Sequence, residues 1–170
     1  YKGEVVGRRT ATAVEVVDKF MELNPGVRRG KLTKYLKLEE DGVTVKSWKL
    51  NYLRLVEVPE EICDLKFTGN LDLNRNSIVS LPDRIGEMQI GGTLNLSKNR
   101  ITTLPKCIGW MQIGGHMLLD YNRITTVPPS MTQITIGGSL RPQGNSMGAT
   151  LPACIRGTGI VVNMRSYCSS

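Results

Sequence analysis

Few residues in this chain are of the kinds that do covalent chemistry, and their spacing works against it. Gly26-Val27-Arg28-Arg29-Gly30-Lys31 approaches a phosphate-cradling loop, in which a glycine-rich turn wraps phosphate and a lysine follows. It is one residue short between its glycines, and Leu32 stands where Ser or Thr would hold magnesium. The four cysteines, Cys63, Cys107, Cys154 and Cys168, include no C-x-x-C pair, so they offer no zinc framework. His116 is the only histidine, which leaves no partner for a His-based metal centre or a Cys–His couple. Neither G-x-S-x-G nor H-E-x-x-H occurs. The expectation is a protein without catalytic residues, bound metal, cofactor or small-molecule substrate.

The residues that do recur are structural. At a 23-residue step, Asn76, Asn99, Asn122 and Asn145 fall in one column, and Leu50, Leu73, Leu96 and Leu119 in another. Pro59, Pro82, Pro105 and Pro128 keep the same step, as do Gly91-Gly92, Gly114-Gly115 and Gly137-Gly138. A fixed period of this size is the mark of a stacked-repeat architecture, in which each unit buries its apolar face only against its neighbours. Alternation in L-x-L turns both leucines to one face of a short strand. The asparagine follows where the chain turns inward, and its amide can bond backbone groups of adjacent turns. Leu-Pro then imposes an extended return path, and the glycines permit a tight bend into the next strand.

The segments Leu71-Asp72-Leu73-Asn74-Arg75-Asn76, Leu94-Asn95-Leu96-Ser97-Lys98-Asn99 and Met117-Leu118-Leu119-Asp120-Tyr121-Asn122 resemble the leucine-rich-repeat family, in its short intracellular type. The resemblance covers about residues 46–166. It implies an α/β fold: a leucine-rich-repeat solenoid with a parallel β-sheet on its concave face, 3₁₀ or single helical turns on its convex face, and an N-terminal helical cap. The Gly-Gly pairs replace a leucine usual in the family, and Ile90, Ile113 and Ile136 are expected to supply the missing apolar contact. The ends are atypical. Trp48 fills a leucine slot and Leu53 replaces the asparagine in the first repeat; Pro142 takes a leucine slot in the fifth. Val162-Asn163-Met164-Arg165 reads as a sixth, partial strand.

Residues 1–45 form a separate segment, and 46–170 the array of about five repeats. Thr10 to Leu23 reads as an amphipathic helix with Ala13, Val16, Val17, Phe20 and Leu23 on one face, capping-box spacing at Thr12 and Glu15, and Asn24-Pro25-Gly26 as its stop. Val43 and Val45 alternate like a strand leading into Trp48. Two roles are open for this segment: a cap over the first repeat, or a docking element. Its basic stretch would carry the second role through Arg28, Arg29, Lys31, Lys34, Tyr35 and Lys37.

Strand geometry turns four rows to solvent. The row Tyr52, Arg75, Lys98, Tyr121 and Gly144 offers aromatic and cationic anchors, which dominate interface energies. Tyr52, Arg75, Lys98, His116, Leu118 and Tyr121 are therefore the expected protein contacts; an apolar Leu118 on a polar face wants cover. Asp72 and Asp120 also face this side, but two repeats separate them by about 10 Å, too far for an acid–base pair. Cys107 and Cys154 share one slot at a similar separation, beyond disulfide reach, and are expected as small buried residues; a Cys154–Cys168 bridge at the C-terminal end is a weaker alternative. Asn95-Leu96-Ser97 matches a glycosylation acceptor inside a predicted strand, so chance explains it.

Net charge is +7, with the two ends basic and the middle mildly acidic, which attracts anionic partners at long range. Two functions follow. The first is a non-catalytic protein-binding or scaffold module, a subunit or adaptor of a multi-subunit complex. The second is an RNA- or ribosome-associated protein using the basic ends. No apolar run spans a bilayer. The lack of a cysteine framework favours a reducing, intracellular compartment, while the missing initiator Met leaves organelle targeting open.

Overall fold

The computed structural model describes residues 9–146 and the strand Val161–Val162. Two helices lead: α1, Ala13–Leu23, and α2, Arg29–Thr33. Strand β1, Leu36–Leu38, then runs antiparallel to β2, Val45–Lys49. From β2 onward the strands are parallel. They are β3 (Leu71–Asp72), β5 (Leu94–Asn95), β7 (Met117–Leu118), β9 (Ser139–Arg141) and β10 (Val161–Val162). Leu71 pairs with Leu94, Leu94 with Met117 and Met117 with Leu140, so the sequence period is also the sheet register.

The core is one aliphatic column. Leu71 and Leu73, Leu94 and Leu96, Met117 and Leu119 are all buried, as the L-x-L alternation requires. Among the described residues four 3₁₀ turns lie behind the sheet: Glu60–Asp64, Ile85–Glu87, Ile108–Trp110 and Pro129–Gln133. Each follows a proline-led segment and places its Ile or Met in the column, with Ile62, Ile85, Ile108 and Met131 buried.

The asparagines hold this stack by a repeated pattern. Asn99 Oδ1 accepts the Ile78 N–H at 3.1 Å, and its Nδ2 donates to the carbonyls of Leu73 and Leu96, each at 3.0 Å. Asn122 serves Ile101, Leu96 and Leu119 in the same way, and Asn145 serves Ile124, Leu119 and Pro142. Asn76 accepts from both Leu53 and Leu55 in the first coil, which has leucine where an asparagine would stand. All four amides therefore bridge two coils.

A second sheet appears that the sequence did not announce. β4 (Gln89–Ile90), β6 (Gln112–Ile113) and β8 (Thr135–Ile136) pair in parallel just before each glycine pair. Ile90 and Ile113 are buried and Ile136 half-buried, so all three put apolar surface into the core just before the glycines. The glycine corners then touch directly. A Cβ on Gly114 would lie 2.3 Å from the Gly91 carbonyl oxygen, and one on Gly137 2.3 Å from that of Gly114. Backbone bonds cross these corners, with Gly115 N–H to Gly92 at 2.9 Å and Gly138 N–H to Gly115 at 2.8 Å.

At the N-terminal end, α1 starts at Ala13 rather than Thr10, with Thr12 and Glu15 forming the capping box. Phe20 meets Trp48 edge-on at 5.7 Å, and the Trp48 indole N–H donates to the Leu32 carbonyl at 2.7 Å. Buried Asn24 does more than end the helix. Its Oδ1 accepts from Val56 and Glu57, and its Nδ2 donates to Phe20 and Glu57. Leu23, expected on the buried face, is 39% exposed, and Val43 is exposed ahead of β2. Pro142 avoids the strand by following β9 directly. Strand β10 begins one residue before the expected Val162; Asn163, Met164 and Arg165 lie outside the described residues, as do Cys154 and Cys168.

Candidate binding face

The chain turns out of each strand through one residue in the left-handed region. Tyr52, Arg75, Lys98 and Tyr121 have φ of 58°, 54°, 56° and 55°, and Gly144 continues the row at 73°. For a non-glycine residue this conformation costs about 1–2 kcal/mol, and it aims each side chain off the sheet. The Arg75 guanidinium sits 5.2 Å from the Tyr52 ring centroid, and Lys98 Nζ 5.8 Å from that of Tyr121. Cation–π attraction of about 0.5–1 kcal/mol at an exposed site holds each pair. Behind Tyr121 the ring packs on the Gly144 backbone, where a Cβ would come within 2.4 Å of Cδ1. Tyr52 remains 64% and Tyr121 52% exposed, so these are ordered yet accessible groups.

The remaining two expected contacts stand apart from this row. Leu118 is half-buried in the middle of the sheet face, in register with Asn95 and Arg141. His116 is exposed at the opposite end of its strand, where it belongs to a second ladder. Asn70 Oδ1 accepts the Thr93 N–H at 2.8 Å, Thr93 Oγ1 accepts the His116 N–H at 3.1 Å, and His116 Nδ1 accepts the Ser139 N–H at 2.9 Å. An Nδ1 that accepts a backbone proton places the ring proton on Nε2. The polar column Asn70, Thr93, His116 and Ser139 carried this signal in the sequence, since each type can accept a hydrogen bond.

Asp120 lies inside the face rather than on it. It is buried, with Arg141 Nε 3.7 Å from Oδ2, beyond hydrogen-bond reach, and with Oδ1 unpartnered. Burial raises its pKa above the usual carboxylate value, against the opposing pull of Arg141.

The cations of the basic stretch have different neighbours. Arg29 pairs with Asp18, while Lys34 lies over the Tyr35 ring at 4.9 Å and, by hydrogen bond and charge, lowers the phenol's pKa. Lys37 is exposed on β1. Arg28 and Lys31 line a cleft with Tyr52 and Arg54. Cys107 also departs from expectation: it is half-buried, its thiol donating to the Asp83 carbonyl and accepting the Gly86 N–H. Among the described residues no three His, Cys, Asp or Glu side chains converge to hold a metal, and no helix is long and apolar enough to cross a membrane.

No family model and no curated protein sequence matches the chain. A solved structure does: that of a leucine-rich-repeat protein of Leptospira interrogans, with a TM-score of 0.52 at 23% identity over 72% of this chain. The fold is leucine-rich-repeat-like. This chain spans 37% of that protein's length, and at such identity the likeness extends to the fold alone.

Proposed function

We propose that this chain is a non-catalytic module, a capped solenoid that holds another protein against the face of its seven-stranded sheet within a larger assembly. Residues 1–45 serve as its cap and 46–170 as the repeat array. One observation carries the reading: the row Tyr52, Arg75, Lys98 and Tyr121 is exposed but already ordered by left-handed backbone and ring–cation contacts. Anchors immobilised before binding lose little rotamer freedom on binding, a cost of about 0.5–1.5 kcal/mol for each flexible side chain otherwise. Leu118 supplies the apolar ground between this row and His116.

The test is site-specific photocrosslinking in the native cell. A benzophenone amino acid replaces Tyr121 on the face or exposed Val79 away from it. The expected result is one folded protein attached at position 121 and absent at position 79, with a yield that survives a rise in salt. Crosslinked RNA that disappears steeply with salt, through counterion release, would move the function to the RNA-associated alternative. Equal labelling from both positions would remove the sheet face from consideration.

A further inference from the structure

The first coil departs from the repeat at two adjacent positions, and the departure opens a crevice. Leu53 stands where the later coils have their ladder asparagine, and Arg54 is left-handed at φ 57°, the only such non-glycine residue off the repeated row among those described. Asn24 closes this coil from outside by taking the Val56 and Glu57 N–H groups. The chain from Pro25 to Arg28 consequently passes beside Leu53, turning at Gly26 with φ 98°. Two adjoining cavities of about 330 and 280 Å³ run along this seam and share Gly26, Val27, Leu53 and Arg54.

The two ends of the crevice differ in chemistry. Arg28, Lys31 and Tyr52 complete one end, and Leu23, Pro25 and Val56 the other. Arg28, Lys31 and Arg54 are exposed, and no described carboxylate lies within ion-pair distance of any of them. The neighbouring Arg29, pointing elsewhere, is neutralised by Asp18. Three uncompensated cations beside Val27 and Leu53, both partly buried, complement a chain that carries negative charge next to an aliphatic group.

We infer that this crevice receives a short peptide segment in which acidic residues adjoin an aliphatic one. This rests on the reading of the chain as a protein-binding module and adds a second contact to it. The carboxylates lie against Arg28, Lys31 and Arg54, and the aliphatic side chain against Leu23, Pro25 and Val56. A nucleic acid would use the cations and the Tyr52 ring but leave the aliphatic end without a partner.

The experiment titrates the full chain into a fluorescein-labelled Gly-Glu-Glu-Leu-Val-Gly peptide at about 0.1 M salt, where charges within one Debye length still interact. Controls are the same peptide with Gln for Glu, with Ser for Leu and Val, and a labelled hexauridylate. The acidic–aliphatic peptide is expected to bind at least about tenfold tighter than each control, a difference of about 1.4 kcal/mol. Arg54→Gly removes a cation while relieving the left-handed backbone, so it should weaken binding about tenfold without lowering the melting temperature. The double variant R28S/K31S should do the same with an unchanged circular dichroism spectrum. Equal affinity for the peptide and its controls, or unchanged affinity in both variants, overturns the inference, as does tighter binding of hexauridylate. Peptide failure alongside a retained protein crosslink at position 121 sinks the crevice alone. Peptide binding without that crosslink sinks the sheet face alone.

Discussion

Asn99 joins two coils through one amide. Removing it in Asn99→Ala leaves the Ile78 N–H without its acceptor and the Leu73 and Leu96 carbonyls without this donor, all in a buried turn. Each unmet group costs about 1–3 kcal/mol, so chemical denaturation should show a loss of about that size or more. Asp120 makes the opposite case. Burial raises its folded pKa above the unfolded value of 3.8. The stability this contributes is present below pH 3.8 and lost as pH rises through the raised value, so at neutral pH the ionised Asp120 works against the fold. Asp120→Asn should therefore gain stability relative to the parent between pH 3 and pH 7, read from paired urea titrations. A constant difference across that range would contradict the assignment. The asparagine column could be read from spacing alone, since one residue type recurred in one slot. The burial of Asp120 could not, because its counterparts in the same row, Asn74 and Ser97, are only half-buried and spacing does not distinguish it from them.

Elements follow the same division. The parallel strands β3, β5, β7 and β9 and the 3₁₀ turns were legible because each sits on a periodic leucine, isoleucine or methionine. Strand β1 and the three-stranded sheet were not: β1 is three residues in a hairpin with β2, and each strand of the second sheet is two residues held by a partner one coil away, with no leucine alternation to mark either. The glycine pairs were legible as bends, but their stacking was not. A methyl group on Gly114 would meet the Gly91 carbonyl oxygen at 2.3 Å, and its three nearest atoms are all Gly91 backbone, with no flexible side chain among them to give way. Gly114→Ala should consequently cost about 3 kcal/mol or more, the upper range for overpacking, measured by thermal unfolding. Gly30→Ala, with open space at its Cβ, is the matched control and should leave stability nearly unchanged.

Across the molecule, stability is a sum over coils and their interfaces, which makes a buried thiol a local reporter. Cys63 sits in the 3₁₀ turn beneath α1, and burial pushes its thiol up to about 12. At pH 8 only about one part in ten thousand would be thiolate, so iodoacetamide should modify Cys63 only when the first coil opens. Half-buried Cys107 should react sooner, and peptide mapping after timed quenching separates the two. The candidate face was legible as rows of solvent-facing positions. Its ordering was not: the 23-residue step puts these residues in one row, but the left-handed backbone and the contact of each cation with the ring one coil away are set by the fold.

The bonds that bridge neighbouring coils run along the direction of stacking, both in the sheet and at the Asn99 and Gly115 ladders. A pulling force applied at the two ends of the array therefore loads these interfaces in series, each carrying the full tension. Rupture then proceeds one coil at a time, as when a spring is unwound turn by turn. Each event frees one 23-residue period, about 80 Å of extended chain. An optical-trap trace of this protein should rise in regular steps of that length.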